Sequence, residues 1–500
     1  MAEILSCLLS FPPTPSPKGR PTSDVKYDKE IRGHYLELKC IPSQKLVAHI
    51  PGKGNFLDLL DPGRQTLAYI FVLLSHYQVS QEDTKEPFPV AWRPGGELWS
   101  KSITLLKVFD RIQVRYAGQE FRNLVEIVAK SAEISSRPLV ALHPLKHAIL
   151  RLDPSSSTFT SLHTTFVRLC LLSRSYLCAL DILDKPLCHF PTTSDNLFIK
   201  RSQILPCQQH ESSMSFITAS SGLSGKINHR SYLEYFLYGA MIYMGLKKWD
   251  DAIHFLEIVI SAPTTNSLSM IMVDAYKKWV LVCLLEKGKS LPMPRTVTPS
   301  TAKVFRSLAK PYDSLADVFK TGDFRRLQAE VSAGEAVWFS DNNIGLVSQA
   351  LLAYQRFSVV KLEKTFAALS TPDISSYLGT DTQLTDDFVV GLITSGQLQA
   401  CLIQPSDPSM PSVLRFASAT FNLNHQPESK FLANLNIQKY QLASLERLAK
   451  GTDMKLELSG EYIENMRKAP RRTDVGSRDE RSMAGISNGE CDEDMMGDLE

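Results

Sequence analysis

Apolar residues recur along this chain mainly at spacings of three and four, the period of an amphipathic helix. The clearest unit is 232–263. Its first helix carries an unbroken apolar and aromatic run that stops between Gly245 and Trp249. A second helix, predicted to be capped by Asp250, then presents Ala252, Phe255, Leu256 and Val259. The same rhythm, more weakly, sets Leu169, Leu172, Tyr176, Ala179 and Leu183 on one face within 162–183. It predicts a further helix over 271–285 that ends at Gly288, a residue suited to a helix C-terminus. Another pair is predicted from Tyr312, Leu315, Val318 and Phe319, a Thr-Gly-Asp turn at 321–323, then Phe324 and Leu327.

In 232–263 the residues Phe236, Ala240, Tyr243, Ala252, Leu256 and Val259 occupy the large and small packing positions of a tetratricopeptide-like helical pair. Gly239, Ala240 and Ala252 let the helices approach closely. No such hairpin can bury its apolar face alone, so the economical arrangement is a stacked solenoid. Two stretches interrupt the period and read as loops: 81–96, rich in Pro, Gly and charge, and the Ser-rich 192–225.

Beyond residue 341 the pattern changes. One helix is predicted with Ile344, Val347, Leu351 and Tyr354, and a second with Val359, Leu362, Phe366 and Leu369. A short helix follows, capped by Thr371 with Pro372 first, then a helix presenting Phe388, Val389, Leu392 and Ile393 and ending before Gly396. Two strands close the segment, 398–403 and 413–417, joined by a Pro/Ser/Asp turn. Helices followed by a two-stranded wing make a winged helix. Farther on, Phe431, Leu435, Leu442, Leu445 and Leu448 stripe one face of a long helix, and a second helix is expected after Ser459.

Charge decides how that module is used. Between Lys364 and Arg415 there is no Lys or Arg, and the charged residues are Asp373, Asp381, Asp386, Asp387 and Asp407. A winged helix that reads DNA needs cations at the groove, because phosphate neutralisation supplies most of the affinity. Nucleic acid is therefore excluded as the expected ligand, leaving another protein. The net charge of +2 gives no general attraction for nucleic acid or anionic membrane either. Apolar content of 43% is that of an ordinary globular chain, and no apolar run approaches the roughly 20 residues of a membrane span. Glu3 and the early prolines argue against a secretory signal. The nine cysteines are scattered and never form Cys-x-x-Cys, as expected for reduced thiols in the cytoplasm or nucleus.

Catalytic and cofactor motifs are missing. His143 and His147 are four apart, but Pro144 lies between them and no carboxylate nearby completes a metal set. His210-Glu211 lacks the second histidine of a zincin, and no His-x-His occurs. Gly288-Lys289-Ser290 imitates the end of a phosphate-binding loop, yet Cys283 stands where the leading glycine is required. Gly52-Lys53-Gly54 lacks the third glycine of a dinucleotide fingerprint. No enzyme activity, metal or cofactor is expected. The basic run Arg467, Lys468, Arg471, Arg472 reads either as a solvated helix end or as a nuclear-import signal.

A helical-repeat array followed by a winged helix resembles the PCI domain of the proteasome lid, the COP-nine signalosome and a translation initiation factor. The stretches 235–247, 274–285 and 341–370, with 162–183, resemble the signalosome subunit 3 family more narrowly. The likeness covers roughly 160–190, 230–425 and, more loosely, 440–468. The resemblance implies a non-catalytic scaffold in the complex that removes a ubiquitin-like modifier from cullins. Its partners would be other PCI subunits and a separate metallo-isopeptidase subunit, with cullin-RING ligases contacted indirectly. The paralogous lid subunit is the alternative, followed by a nucleic-acid-binding translation factor. In such assemblies winged helices pair edge to edge and C-terminal helices share a bundle.

The expected fold is thus mainly α. Residues 1–160 form an N-terminal helical region, 161–340 the repeats, 341–425 the winged-helix part, 426–468 the C-terminal helices and 469–500 a disordered acidic tail. The expected interface joins a sheet edge at Val413, Leu414 and Phe416 to the stripe of Phe431, Leu435, Leu442, Leu445 and Leu448. That stripe either faces partners or packs back on its own winged helix.

Overall fold

The computed structural model describes residues 2–10, 21–49, 54–83, 88–191, 205–208, 210, 212–263, 268–378, 382–394, 397–398, 400–403, 411–416 and positions scattered from 432 to 453. The chain forms two compact units, Met1–Leu423 and Asn424–Glu500.

The first unit opens with α1 (Ala2–Leu9), α2 (Pro21–Cys40), α3 (Ser43–Val47), α4 (Phe56–Leu59) and α5 (Thr66–Asp83). Along α2, Tyr27, Ile31, His34 and Leu38 recur at helical spacing and are all buried. There follow α6 (Glu97–Val108), α7 (Arg111–Tyr116), α8 (Gly118–Ile134), α9 (Leu139–Leu152), α10 (Ser161–Leu172) and α11 (Leu177–Leu183).

Both stretches read as loops contribute to the core. Val90–Trp92 forms a single 3-10 turn with Trp92 fully buried, and Ser131 Oγ donates to the Trp92 carbonyl. In the Ser-rich stretch Phe216, Ile217 and Leu223 are buried. Its backbone lies on the start of α8: a Cβ at Gly118 would stand 2.2 Å from the Ser221 carbonyl oxygen. Arg122 donates to the Ser224 carbonyl, and Arg115 to those of Pro206 and Gln208. Neither stretch is periodic, so periodicity could not reveal that it is packed.

The repeat predicted from residue 232 is the pair α12 (His229–Gly245) and α13 (Trp249–Ile260). Gly239 sits at the closest approach, where a Cβ would lie 2.8 Å from the Phe255 ring and 3.2 Å from Leu183. Ala240 and Ala252 are fully buried beside it. Asp250 does not cap α13. The helix starts at Trp249, and Asp250 in its first turn accepts from Lys287 Nζ at 2.7 Å. α14 (Met270–Lys287) ends at Gly288, which is left-handed at φ 63° as a closing glycine should be. α15 (Pro299–Leu308), α16 (Lys310–Thr321), α17 (Phe324–Ala333) and α18 (Glu335–Ser340) complete the array. Asp323 caps α17 by accepting from the Arg325 and Arg326 amides.

α19 (Ile344–Glu363) is one continuous helix where two were predicted. No Gly or Pro breaks it between Tyr354 and Val359, so the backbone continues while the buried side changes. Val347 and Tyr354 belong to the core of the array, whose buried residues run from Leu8 to Tyr354. Val359 and Leu362 belong to a second core that ends at Phe416. A polar knot precedes the helix. Lys277 Nζ donates to both Asp341 carboxylate oxygens at 2.8 Å, and Tyr312 OH donates to one of them. Asn343 Nδ2 donates in turn to the Tyr312 hydroxyl.

The second core is a three-stranded winged helix: β1 (Ala368–Ser370), α20 (Thr371–Leu378), α21 (Thr382–Thr394), β2 (Ala400–Ile403) and β3 (Val413–Phe416). Ser370 rather than Thr371 caps α20, its hydroxyl accepting from the Asp373 amide while the Thr371 amide donates to the Ser412 carbonyl.

Candidate functional site

The sheet runs in the order β1-β3-β2, antiparallel throughout. Leu414 faces Leu369 on one side and Leu402 on the other, and Val413 faces Ser370 and Ile403. β3 is therefore the central strand and not the edge expected from the sequence. Its backbone groups pair on both sides, and Leu414 and Phe416 are buried in the module's core. The physical reason is β1. Leu369 continues the helical spacing of Leu362 and Phe366, but the chain leaves the helix after Glu363 and returns extended beside β3. The edges of the sheet are β1 and β2, and on β2 Cys401 and Ile403 are exposed.

The electrostatics of the module match the sequence. α20 and α21 carry Asp373, Asp386 and Asp387 and no Lys or Arg, and the cation of the sheet is the exposed Arg415 on β3. A face with that charge repels a phosphate backbone.

In the second unit the described residues from 432 to 453 are all helical. Leu435, Leu442 and Leu445 are 45%, 69% and 55% exposed, and Leu432 joins them at 57%. Offsets of three and seven place the four on one stripe. Phe431 and Leu448 lie outside the described residues, as do Gly396, the helix expected after Ser459, the basic run 467–472 and the acidic tail. The structure therefore leaves an apolar stripe open to solvent, where burial would stabilise by about 1.5–3 kcal/mol per large side chain.

Other groups weighed in the sequence resolve differently. His143 and His147 share a face of α9 and border a recess of about 250 Å³ with Arg111, Lys146 and Arg151. Those cations repel a metal, Lys146 is paired with Asp181, and His147 Nδ1 contacts the Leu106 carbonyl. A different trio, Cys7, His34 and Glu37, brings one potential ligand atom from each residue to within 4.8 Å of the others. Sequence reasoning missed it, because the fold alone brings Cys7 to the His34-x-x-Glu37 pair.

The description "COP9 signalosome complex subunit 3, N-terminal helical repeats" matches residues 42–300. A COP9 signalosome complex subunit 3 from Emericella nidulans is 39% identical, with all of both chains aligned. The chain belongs to the COP9 signalosome complex subunit 3 family. A second such subunit, from Neurospora crassa, is 27% identical over 93% of this chain and 91% of its own. The matched 42–300 span runs from α3 into the start of α15 and includes both packed stretches that lack periodicity. Among the described residues no helix is long and apolar enough to cross a membrane.

Proposed function

We propose that this chain is a non-catalytic scaffold subunit of a signalosome, supporting the complex that removes a ubiquitin-like modifier from cullins. Its direct partners are other PCI subunits. The isopeptidase centre belongs to a different subunit, and cullin-RING ligases are reached through the assembly, in the cytoplasm and nucleus. The observation that carries this reading is the solvent-exposed stripe of Leu435, Leu442 and Leu445 in a chain of this family. The stripe enters a helical bundle shared with neighbouring subunits, and the open edge of β2 pairs with a neighbour's sheet. An all-acidic charge on the helices that could meet DNA supports a protein ligand for the winged helix.

The test is capture of the full chain from its native cell at near-physiological salt, beside the double variant Leu442→Asp with Leu445→Asp. The wild-type chain is expected to bring down several PCI subunits and a metallo-isopeptidase subunit in near-equal amounts. The variant should bring down none while keeping its helical circular dichroism. Recovery of proteasome ATPases, of nucleic acid, or of the chain alone would sink the reading.

A further inference from the structure

The seam between α1 and α2 carries a donor set that packing alone does not require. Leu8 is fully buried and pins α1 to the array, which fixes the position of Cys7 beside it. On α2, His34 occupies a place in the buried stripe of Tyr27, Ile31 and Leu38, where an apolar side chain would be the ordinary choice. Glu37 stands three residues on, one turn away and on the same side of the helix. Cys7 Sγ approaches Glu37 Oε2 at 3.8 Å, with the thiol donating. All three ligand atoms lie within 4.8 Å of one another.

We propose that Cys7, His34 and Glu37 bind a zinc-class divalent ion that clasps α1 onto α2. The chemistry selects the metal. One sulfur, one imidazole nitrogen and one carboxylate oxygen form a mixed set that suits zinc, whereas magnesium and calcium take oxygen alone. Tetrahedral bonds of these types hold neighbouring donors roughly 3.5 Å apart. The Cys7–Glu37 separation is already close to that, and small side-chain rotations bring in the rest. Binding breaks the S–H bond of Cys7, forms a sulfur–metal bond and releases one proton to solvent, with no change of oxidation state. The metal takes the place of the thiol proton that faces Glu37. A solvent molecule fills the fourth position. The clasp would tie the first helix of the chain to the second through bonds far stronger than the contacts of a helix of eight residues.

The experiment uses the untagged full-length chain, stripped with chelator and titrated with Co²⁺ and then Zn²⁺. One equivalent of Co²⁺ is expected to give a sulfur-to-cobalt charge-transfer band with visible bands of tetrahedral intensity, displaced by Zn²⁺. Cys7→Ser should abolish the charge-transfer band. Glu37→Gln alters only an exposed carboxylate, so the fold survives, and zinc should bind ~10-fold or more weakly. Zn²⁺ should also protect Cys7 from alkylation, mapped by peptide mass, while leaving the exposed Cys40 and Cys188 reactive. Absence of a thiolate band, its persistence in Cys7→Ser, or unchanged affinity in Glu37→Gln would each overturn the proposal.

Discussion

His163, at the first turn of α10, shows how one buried side chain ties the fold to pH. The Thr160 amide donates to its Nδ1, which makes that nitrogen an acceptor and leaves the proton on Nε2, facing Ser156 Oγ at 2.9 Å. Burial pushes its pKa down to about 4, against a smaller opposing pull from the Asp153 carboxylate. The folded state therefore holds the imidazole neutral while the unfolded chain protonates it near the ordinary value of about 6.5. Because the folded pKa is the lower one, the contribution is intact above about 6.5 and is lost as pH falls toward 4. Roughly 2 kcal/mol should disappear between pH 7 and 5. Denaturant unfolding at the two pH values checks this. His163→Gln should be less stable at pH 7 yet lose less on acidification, and an unchanged pH dependence would refute it. Burial lowers the pKa of His34, His76 and His210 as well, so the variant retains part of the slope. None of this was legible in the sequence, where His163 is one polar residue among the hydroxyl side chains of Thr160, Ser161, Thr164 and Thr165. Gly239 was legible, because a glycine at a predicted helix contact has a steric meaning.

At the scale of elements, strongly periodic helices were readable and short strands were not. The pair α12 and α13, α14 with its closing Gly288, and the turn before α17 stand where the apolar spacing puts them. β1 was lost because three residues cannot display a period, and Leu369 happened to continue the phase of the helix before it. The cost of that miss was the identity of the sheet edge. The corrected register makes an unequal pair of residues. Leu414→Ala empties a buried position in the central strand and should cost about 2–5 kcal/mol. Ile403→Ala, on the exposed edge, should change stability by less than about 1 kcal/mol. Ile403→Lys should weaken capture of partner subunits without unfolding the chain. Thermal unfolding and partner capture measure the two effects, and equal stability losses would mean that the sheet order differs from β1-β3-β2.

For the whole molecule, the expectation of a protein partner rested on an absence of cations within one stretch, a property of composition. The N-terminal seam was illegible for the opposite reason, since its three donors meet only after the chain has folded. The central architectural fact is α19, whose N-terminal turns lie in one core and whose C-terminal turns lie in the other. A shared helix acts as an indexing shaft. Adding one residue to it turns everything downstream by about 100° and advances it by about 1.5 Å. A single alanine inserted after Gln355 should leave helical content nearly unchanged and abolish partner capture. Undiminished capture would mean that the angle is not what neighbours read. The 20 residues of α19 are therefore a fixed dimension of this chain, as a shaft's keyway is.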